Sequence, residues 1–426
     1  MHENSIITSM NGQTNGMENL TSKYAIPSIP INIKSSSTAK EFDNVIKALI
    51  KDGNKKINLK QVEFDFLING KLLRQTIEEF IKNENISTEI QIEIEYFVKC
   101  EPPKPHKSFL HNDWVSSVDT IDEWILSGCY DSSAHIWNVK NGHHEIAIPA
   151  PHTSSIKAVK WIRNELEQKN QKYSFVTCSH DETAMLWNWD AKLNQVDHVF
   201  TYIGHCRSVD CVDQHKDLIA TGSYDNMLKI WSTIDQIYDD DNDVEMKDIS
   251  KKKLRSPAIT LEGHKESISS CVWMNEQVPT VLTVSLDQTM KIWDIEVGEQ
   301  KQSFSSSKSF LDVAYCPSTG HIITASCDRH IRVWDLRQNQ GSLIKNVYSS
   351  HDAWVSSVDW SSINTNLFVS ASYDSTAKQW DIRSPSAPLY DLLGHQDKIM
   401  SINWSNEHFI VSGGADSQIK IFSCLL

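Results

Sequence analysis

Histidine, aspartate and hydroxyl side chains, the groups of a Ser–His–Asp nucleophile, recur together along this 426-residue chain. The carboxylates are Asp131, Asp181, Asp225, Asp287, Asp328, Asp374 and Asp416; the hydroxyls four residues earlier are Ser127, Thr177, Thr221, Thr283, Thr324, Ser370 and Ser412; the upstream histidines are His111, His152, His205, His264, His351 and His395. A nucleophilic triad is built once, at one pocket, so repetition in one register indicates architecture. The chain has no GxSxG, Walker or HExxH motif. We predict that it is not an enzyme and needs no cofactor.

An aromatic residue six positions after each Asp defines the repeat. These residues are Trp137, Trp187, Trp231, Trp293, Trp334, Trp380 and Phe422. Their successive spacings of 50, 44, 62, 41, 46 and 42 residues are close to the length of a four-stranded propeller blade. A carboxylate in a tight turn would orient an imidazole that reaches a buried hydroxyl and an indole N–H, so each blade satisfies its own polar groups. The chain here resembles the WD40 family, which implies a seven-bladed β-propeller; blade five alone has Ser306 in place of the His.

The end of the chain indicates how the ring closes. Only four residues follow Phe422, which is too few for the outer strand of the last blade. The segment Lys107–Leu110, just before His111, has the composition of that missing strand. We predict that it pairs with the last strand, so that the sheet ring has no open edge.

Composition excludes several classes of protein. The net charge of −14 is a poor match to a protein that binds nucleic acid through a basic surface. Nine cysteines without a CxxC pair indicate reduced thiols in a cytosolic or nuclear protein. No apolar run reaches membrane-spanning length, and the polar start is not that of a signal peptide.

Two segments exceed the repeat length. Blade two carries a charged insertion at Arg163–Lys172, and blade three carries a larger one at about 236–257. The larger insertion contains the acidic run Asp239–Asp243 and the basic run Lys251–Arg255. We interpret it as a flexible loop, with a nuclear import signal or a partner contact as the alternative for the basic run.

One rim of the propeller is rich in aromatic residues. The positions just before each Asp and three after each His are expected on the rim that carries the His and Asp turns. They hold Trp114, Tyr130, Tyr224, Trp354, Tyr373 and Lys398. Exposed Trp and Tyr are residues that dominate interface energies, so we predict that this rim, centred on blades six, seven and one, docks a protein. The alternative is that the rings pack on neighbouring blades.

The first hundred residues have a different pattern. Thr38 followed by Glu41 is a capping box, and Phe42, Val45, Ile46 and Leu49 form one apolar helix face. Strands are predicted at Tyr24–Ile33, Val62–Ile68 and Glu89–Val98, with a hairpin turn at Asn69-Gly70. We therefore predict a mainly β protein in which a small α+β ubiquitin-like domain at 21–100 precedes the propeller at 107–426. Residues 1–20 are expected to be flexible and 101–106 to be a linker.

Several motifs together resemble one family closely. They are FDFLINGKLLR at 64–74, STEIQIEIEY at 87–96, Pro102-Pro103 and NDWVSSVD from Asn112. The chain from about residue 20 onward resembles the eukaryotic ribosome-biogenesis family called WD-repeat protein twelve, with its Notchless-like N-terminal domain. The resemblance implies a nucleolar and nucleoplasmic factor of the large (60S) subunit precursor that joins the block-of-proliferation and pescadillo proteins. It implies a role in processing the precursor of the large-subunit and 5.8S rRNAs.

The resemblance also implies a task for the small domain. Family members present a carboxylate to the Mg²⁺ site of midasin, a AAA ATPase that removes the factor from the pre-ribosome, and the matching residue here is Glu89. Without the motif, nothing distinguishes Glu89 from Glu79 or Glu84. Two other interpretations stay open: Notchless itself, and a generic WD40 adaptor such as a ubiquitin-ligase substrate receptor. Direct contact with RNA is left open.

Overall fold

The computed structural model describes residues 5–12, 30–34, 36–53, 59, 62–83, 86, 92–99, 101–164, 171–234, 253–274, 278–337 and 343–424. The chain divides into two compact units, with the boundary between Pro102 and Pro103. The mainly β prediction is confirmed, because the small unit contains one sheet and two short helices while the large unit consists of β-sheets.

The small unit is a five-stranded sheet with the order β2-β1-β5-β3-β4. Its strands are β1 (Ser5–Gly12), β2 (Pro30–Lys34), β3 (Phe64–Ile68), β4 (Lys71–Leu72) and β5 (Ile92–Val98), and its helices are α1 (Ala39–Gly53) and α2 (Ile77–Asn83). Strand β1 pairs with β5 in parallel and with β2 antiparallel. This central parallel pair beside a helix is the arrangement of a ubiquitin-like fold.

The expectation of a flexible N-terminus is wrong for residues 5–12. These residues form β1, which is paired along both edges. Pairing on both sides satisfies the backbone N–H and C=O groups of a segment that has few helix formers and contains Ile6, Ile7 and Thr8. The predicted strand at Tyr24–Ile33 is observed as Pro30–Lys34, and residues 24–29 lie outside the described part.

Helix α1 begins as its sequence predicts. The backbone N–H of Thr38 donates to the Glu41 carboxylate at 3.1 Å, the reciprocal half of a capping box. Phe42, Ile46 and Ile50 are 1%, 0% and 5% exposed and pack in the core with Phe66. The buried stripe therefore ends at Ile50, whereas the sequence predicted Leu49, which is half-buried.

The Asn69-Gly70 turn is confirmed. Both residues have positive φ, 51° and 75°, as a two-residue type I′ hairpin turn requires. The flanking pairs are Leu67 with Leu72 and Ile68 with Lys71. The hairpin joins β3 to β4, and the other edge of β3 pairs with β5, so the last strand of the small unit lies in the middle of the sheet.

The large unit contains seven sheets in the described residues, which are the seven predicted blades. Blade one has β7 (Val115–Ile121), β8 (Trp124–Cys129), β9 (Ala134–Asn138) and β10 (His144–Ile148); blade two has β11 (Ile156–Ile162), β12 (Lys172–Ser179), β13 (Ala184–Asp190) and β14 (Gln195–Tyr202); blade three has β15 (Val209–His215), β16 (Leu218–Ser223), β17 (Leu228–Ser232) and β19 (Ile259–Leu261). Blade four has β20 (Ile268–Met274), β21 (Thr280–Ser285), β22 (Thr289–Asp294) and β23 (Glu299–Ser305); blade five has β24 (Phe310–Tyr315), β25 (His321–Ser326), β26 (His330–Asp335) and β27 (Ile344–Ser349). Blade six has β28 (Val355–Trp360), β29 (Leu367–Ser372), β30 (Ala377–Asp381) and β31 (Tyr390–Leu392); blade seven has β32 (Ile399–Asn403), β33 (Phe409–Gly414), β34 (Gln418–Ser423) and β6 (Lys104–Leu110).

The predicted closure of the ring is confirmed. Strand β6 pairs antiparallel with β34, from Gln418 opposite Leu110 to Ser423 opposite Lys104. The strand begins at Lys104, three residues before the predicted Lys107, so residues 104–106 are not part of a linker. The reason is length: β34 continues to Ser423, and its backbone groups need partners along the whole strand.

The blade-three insertion is not a loop throughout. Leu254–Arg255 forms β18, which adds a parallel fifth strand to blade two beside β14. The backbone N–H of Thr201 donates to the Lys253 carbonyl at 2.8 Å, and the Arg255 guanidinium lies 4.1 Å from the centre of the Phe200 ring. The end of the basic run therefore pairs with blade two, because the outer edge of β14 was otherwise unpaired there. Residues 235–252, including the acidic run, lie outside the described part.

Neither α1 nor α2 has the length and apolar character of a membrane-spanning helix, and the rest of the described chain contains no such helix.

Candidate functional site

Five blades share the same His contacts to an Asp and to a hydroxyl, and four of these blades add an indole donor. Blade two shows the complete circuit. His152 Nδ1 lies 2.9 Å from Asp181 Oδ2, and His152 Nε2 lies 2.8 Å from Thr177 Oγ1. The indole N–H of Trp187 donates to the same Thr177 hydroxyl at 3.0 Å. A single tautomer satisfies all three contacts: Nδ1–H donates to the carboxylate, and the Thr hydroxyl donates to Nε2.

The other four blades repeat this geometry. The His–Asp distances are 2.8 Å for His205–Asp225, 2.9 Å for His264–Asp287, 2.9 Å for His351–Asp374 and 3.0 Å for His395–Asp416. Blade seven ends on Phe422 and so has no indole donor. The hydroxyls of Thr177, Thr221, Thr283, Ser370 and Ser412 belong to residues that are 0% exposed. A nucleophile must reach its substrate, so these hydroxyls are structural groups.

Hydrogen bonding fixes the charge of the Asp side chains. Burial alone would raise the pKa of Asp225, but hydrogen bonds from His205 and from backbone N–H groups outweigh it and lower the pKa to about 2. The pKa of Asp287 is likewise lowered to about 2, against the effect of burial, by Thr289, the Lys265 backbone and His264. Both carboxylates are therefore ionised at neutral pH and hold their imidazoles in one orientation.

Blade five replaces the missing His with an Arg. Arg332 Nη2 donates to Asp328 Oδ2 at 2.5 Å, and Nη1 donates to Asp328 Oδ1 at 3.2 Å. The Trp334 indole still donates to Thr324 at 2.9 Å. Sequence analysis missed Arg332, although its place four residues after Asp328 was a usable signal.

Blade one departs from the circuit. His111 Nε2 lies 3.0 Å from Ser127 Oγ, but the buried His111 Nδ1 has no hydrogen-bond partner. Asp131 is exposed and accepts instead from the Ser133 hydroxyl at 2.5 Å. The Ser133 hydroxyl lies 2.7 Å from His135 Nε2. The expected His111–Asp131 bond is absent, and the Ser133 hydroxyl that bonds Asp131 also contacts His135, whereas the equivalent Thr183 hydroxyl of blade two contacts the blade's own His152.

The electrostatics of blade one favour neutral imidazoles. Burial, reinforced by the neighbouring His135, lowers the pKa of His111 to about 3. Burial and the neighbouring His144 lower the pKa of His135 to about 4. Both rings are therefore uncharged at neutral pH.

The aromatic rim is partly exposed. Trp114 and Trp354 are 41% and 52% exposed, whereas Tyr130 and Tyr373 are half-buried. Each Trp contacts its Tyr, with ring centroids 5.5 Å apart in blade one and 5.9 Å apart in blade six. Packing on neighbouring residues thus accounts for the Tyr rings but not for the Trp rings. We call these four residues the aromatic patch.

Two lysines lie beside the aromatic patch. Lys157 Nζ lies 3.0 Å from the Tyr130 hydroxyl, and Lys398 Nζ lies 5.3 Å from the centre of the Tyr373 ring. Burial raises the pKa of Tyr373. The charge of Lys157 lowers this pKa and the nearby Tyr130 raises it, so the three groups, from blades six, two and one, lie near one another. Tyr224 lies on blade three and is 50% exposed, with the Arg207 guanidinium 5.7 Å from the centre of its ring.

The axial channel has a volume of about 550 Å³ and is lined by the innermost strands of all seven blades. Its carboxylates bridge blades. Asp119 accepts a hydrogen bond from the backbone N–H of Trp161 at 2.8 Å, and Asp359 accepts one from the backbone N–H of Trp404 at 2.7 Å. Burial raises the pKa of Asp359 to about 6. Sequence analysis missed these residues, although both end a Val-Asp pair on an inner strand.

Of the three Glu residues compared as candidates in the small domain, one lies in the described part of the chain. Glu79 accepts a hydrogen bond from the Thr76 backbone N–H at 3.3 Å, so it caps α2. Glu89 and Glu84 lie outside the described residues.

Family models match both parts of the chain. The model described as the NLE (NUC135) domain matches residues 17–81. The model described as WD domain, G-beta repeat, matches 103–138, 197–232 and 255–294, and the EIPR1 beta-propeller model matches 294–422. The two domain types stand in the order that the fold shows.

Several similar proteins carry the same name. The Ribosome biogenesis protein WDR12 homolog of Ixodes scapularis is 42% identical over 413 residues, which cover 94% of this chain and 96% of that protein. The chain belongs to this WDR12 family. Homologs from Aedes aegypti and Drosophila simulans are 42% and 43% identical over 406 and 403 residues, each covering 94% of this chain and 92% of the relative. In this WDR12-family chain, the repeated His and Asp side chains are structural groups within the blades, and the Trp rings of the aromatic patch are exposed on that rim.

Proposed function

We propose that this chain is a non-enzymatic assembly factor for the large (60S) ribosomal subunit that acts in the nucleolus and nucleoplasm. The observation that carries the proposal is the similarity, over 94% of the chain, to proteins named for ribosome biogenesis. The buried hydroxyls of the regular blades support the absence of a catalytic role. In this role the chain supports processing of the precursor of the large-subunit and 5.8S rRNAs.

The propeller docks a protein partner through the aromatic patch. Trp side chains that are exposed on a rigid scaffold lose little entropy on binding and bury a large area. The adjacent Lys157 and Lys398 favour a partner surface with acidic groups at its edge. The partners that we propose are the block-of-proliferation and pescadillo proteins.

The docking proposal is tested with Trp114→Ala/Trp354→Ala in the full chain. We expect affinity purification of this variant to recover at least about tenfold less of both partners and of precursor rRNA, since a central Trp contributes about 2 kcal/mol or more. Leu193→Ala is the control, because Leu193 is 73% exposed in the β13–β14 loop, on the opposite rim. Equal recovery by the double variant would contradict docking through the patch, and recovery of cullin components by the wild type would favour an adaptor.

The small domain offers the Glu89 carboxylate to the Mg²⁺ site of midasin, which releases the factor from the pre-60S particle. The support is the match of residues 87–96 to the family motif. Mg²⁺ is a hard cation that prefers carboxylate oxygen, so one open metal position is completed by one Glu.

Glu89→Gln tests this assignment because it keeps the size of the side chain and removes the charge. We expect Mg²⁺-dependent binding of midasin's metal-site domain to fall at least about tenfold, while pescadillo binding is unchanged. Glu93→Gln is the matched control on β5, where Glu93 is exposed. Undiminished binding by Glu89→Gln would show that another group completes the metal site.

A further inference from the structure

A cluster of metal-binding side chains lies in blade one, apart from the aromatic patch. His111, Cys129 and His135 each offer one ligand atom, and these three atoms lie within 4.8 Å of one another. His144, on the outer strand β10, places its Nε2 3.0 Å from His135 Nδ1. Three imidazoles and one thiol thus converge on one edge of the blade.

One ring nitrogen in the cluster has no hydrogen-bond partner. His111 Nδ1 is buried without a hydrogen-bond partner, while His111 Nε2 is held by Ser127. His135 is held by Ser133, which in turn bonds Asp131. Metal-ligating imidazoles are oriented in this way, with one ring nitrogen on the metal and the other fixed by an outer hydrogen bond.

The same positions in the other blades do not supply these ligands. The position of Cys129 holds Ser179, Ser223, Ser285, Ser326, Ser372 and Gly414, and the position of His135 holds Met185, Lys229, Lys291, Arg332, Lys378 and Lys420. Both additional donors therefore occur in the blade whose His has lost its Asp partner. A single ligand site accounts for all three departures from the repeat, which are the unpaired ring nitrogen of His111, Cys129 and His135.

We propose that blade one binds a single Zn²⁺ ion through His111 Nδ1, the Cys129 thiolate and a ring nitrogen of His135. The fourth tetrahedral position is left for His144 or a water molecule. Imidazole and thiolate favour Zn²⁺ over Mg²⁺ and Ca²⁺, which prefer oxygen ligands. Zinc–ligand bonds of about 2.0–2.3 Å place tetrahedral ligands about 3.5 Å apart, so small side-chain rotations close the cluster on the ion.

Binding releases one proton to solvent. The Cys129 thiol loses its proton as the sulfur–zinc bond forms, and both histidines bind as neutral imidazoles. No oxidant or reductant takes part. The ion would connect the segment between β6 and β7, which holds His111, to β8 and β9, and so cross-link blade one internally.

The test uses the full chain, freed of metal with a chelator and titrated with Zn²⁺ by calorimetry. We expect one ion per chain, and the dependence of the binding heat on buffer ionisation to show one released proton. In Cys129→Ser/His135→Lys each substitution installs a residue that other blades carry, so the fold is expected to be kept. We expect its affinity to be at least about a hundredfold lower.

Cobalt(II) gives a second readout. We expect thiolate-to-cobalt absorption in the wild type and in Cys206→Ser, whose thiol is exposed elsewhere, and none in Cys129→Ser. A wild type that binds no Zn²⁺ would overturn the proposal. It would also be overturned if Cys129→Ser/His135→Lys, folded by circular dichroism, bound Zn²⁺ as tightly as the wild type.

Discussion

Blades one and two each carry the His, hydroxyl, Asp and Trp side chains of the repeat but connect them differently. In blade two Asp181 holds His152 at 2.9 Å, whereas in blade one Asp131 turns outward and His111 Nδ1 has no partner. A repeat motif therefore specifies which groups are present but not which of them pair. The pairing is decided by neighbours that the motif does not include.

The residue two positions after the Asp makes different contacts in the two blades. In blade two the Thr183 hydroxyl lies 2.6 Å from Asp181 and 3.2 Å from His152 Nδ1, so it closes the circuit. Its branched side chain has few rotamers. In blade one the residue is Ser133, and its hydroxyl lies 2.7 Å from His135. An unbranched hydroxyl and a nearby imidazole together divert the carboxylate.

The largest expected effect is the loss of a regular carboxylate. Asp181→Ala removes the charged partner of the buried His152 Nδ1, which keeps only the longer contact to the Thr183 hydroxyl at 3.2 Å, and we expect it to lower the free energy of unfolding by about 3 kcal/mol. Asp131→Ala removes an exposed side chain that does not hold His111, and we expect less than about 1 kcal/mol. Urea denaturation at neutral pH measures both. Equal losses would show that the two blades are energetically alike.

Acid should also weaken the regular blades more than blade one. The pKa of Asp287 is lowered to about 2 in the folded state, against about 4 for a free Asp, so its contribution to stability is full above about pH 4 and is lost as the pH falls to about 2. We expect Asp287→Asn to flatten the fall in unfolding free energy over this range. Asp131→Asn is the control, and a similar flattening by it would contradict the comparison.

The smallest expected effect is a gain. Ser133→Thr/His135→Lys gives blade one the neighbours of a regular blade, so His111 can recover its bond to Asp131. In chelator-treated protein we expect the free energy of unfolding to rise by about 1 kcal/mol, the net contribution of one hydrogen bond. Denaturation of the double variant beside the wild type measures it. A loss of stability would mean that residues 133 and 135 do not control the pairing.

The patch residues show how far prediction reached. The positions of Trp114 and Trp354 followed from the repeat, and the structure finds both rings exposed. Their association with Lys157 did not follow, because Lys157 belongs to the next blade and approaches only when the blades are stacked. The channel carboxylates were missed for the same reason: Asp119 bonds the backbone of a strand 42 residues away.

The sequence by itself determined the features that short segments encode. The Asp-to-Trp period set the number of blades, the Thr38–Glu41 pair set the start of α1, and Asn69-Gly70 set a hairpin. The missing final strand indicated the closure by Lys107–Leu110. Each rests on turn chemistry, capping or strand counting within a local stretch of chain.

Only the tertiary structure decided which distant groups meet. It placed Ser5–Gly12 between β2 and β5, added Leu254–Arg255 to blade two, and brought His111 close to Cys129 and His135. These outcomes depend on open strand edges and on side-chain rotamers set by packing, which no local pattern records. The chemistry that separates blade one from its six neighbours arises at that level.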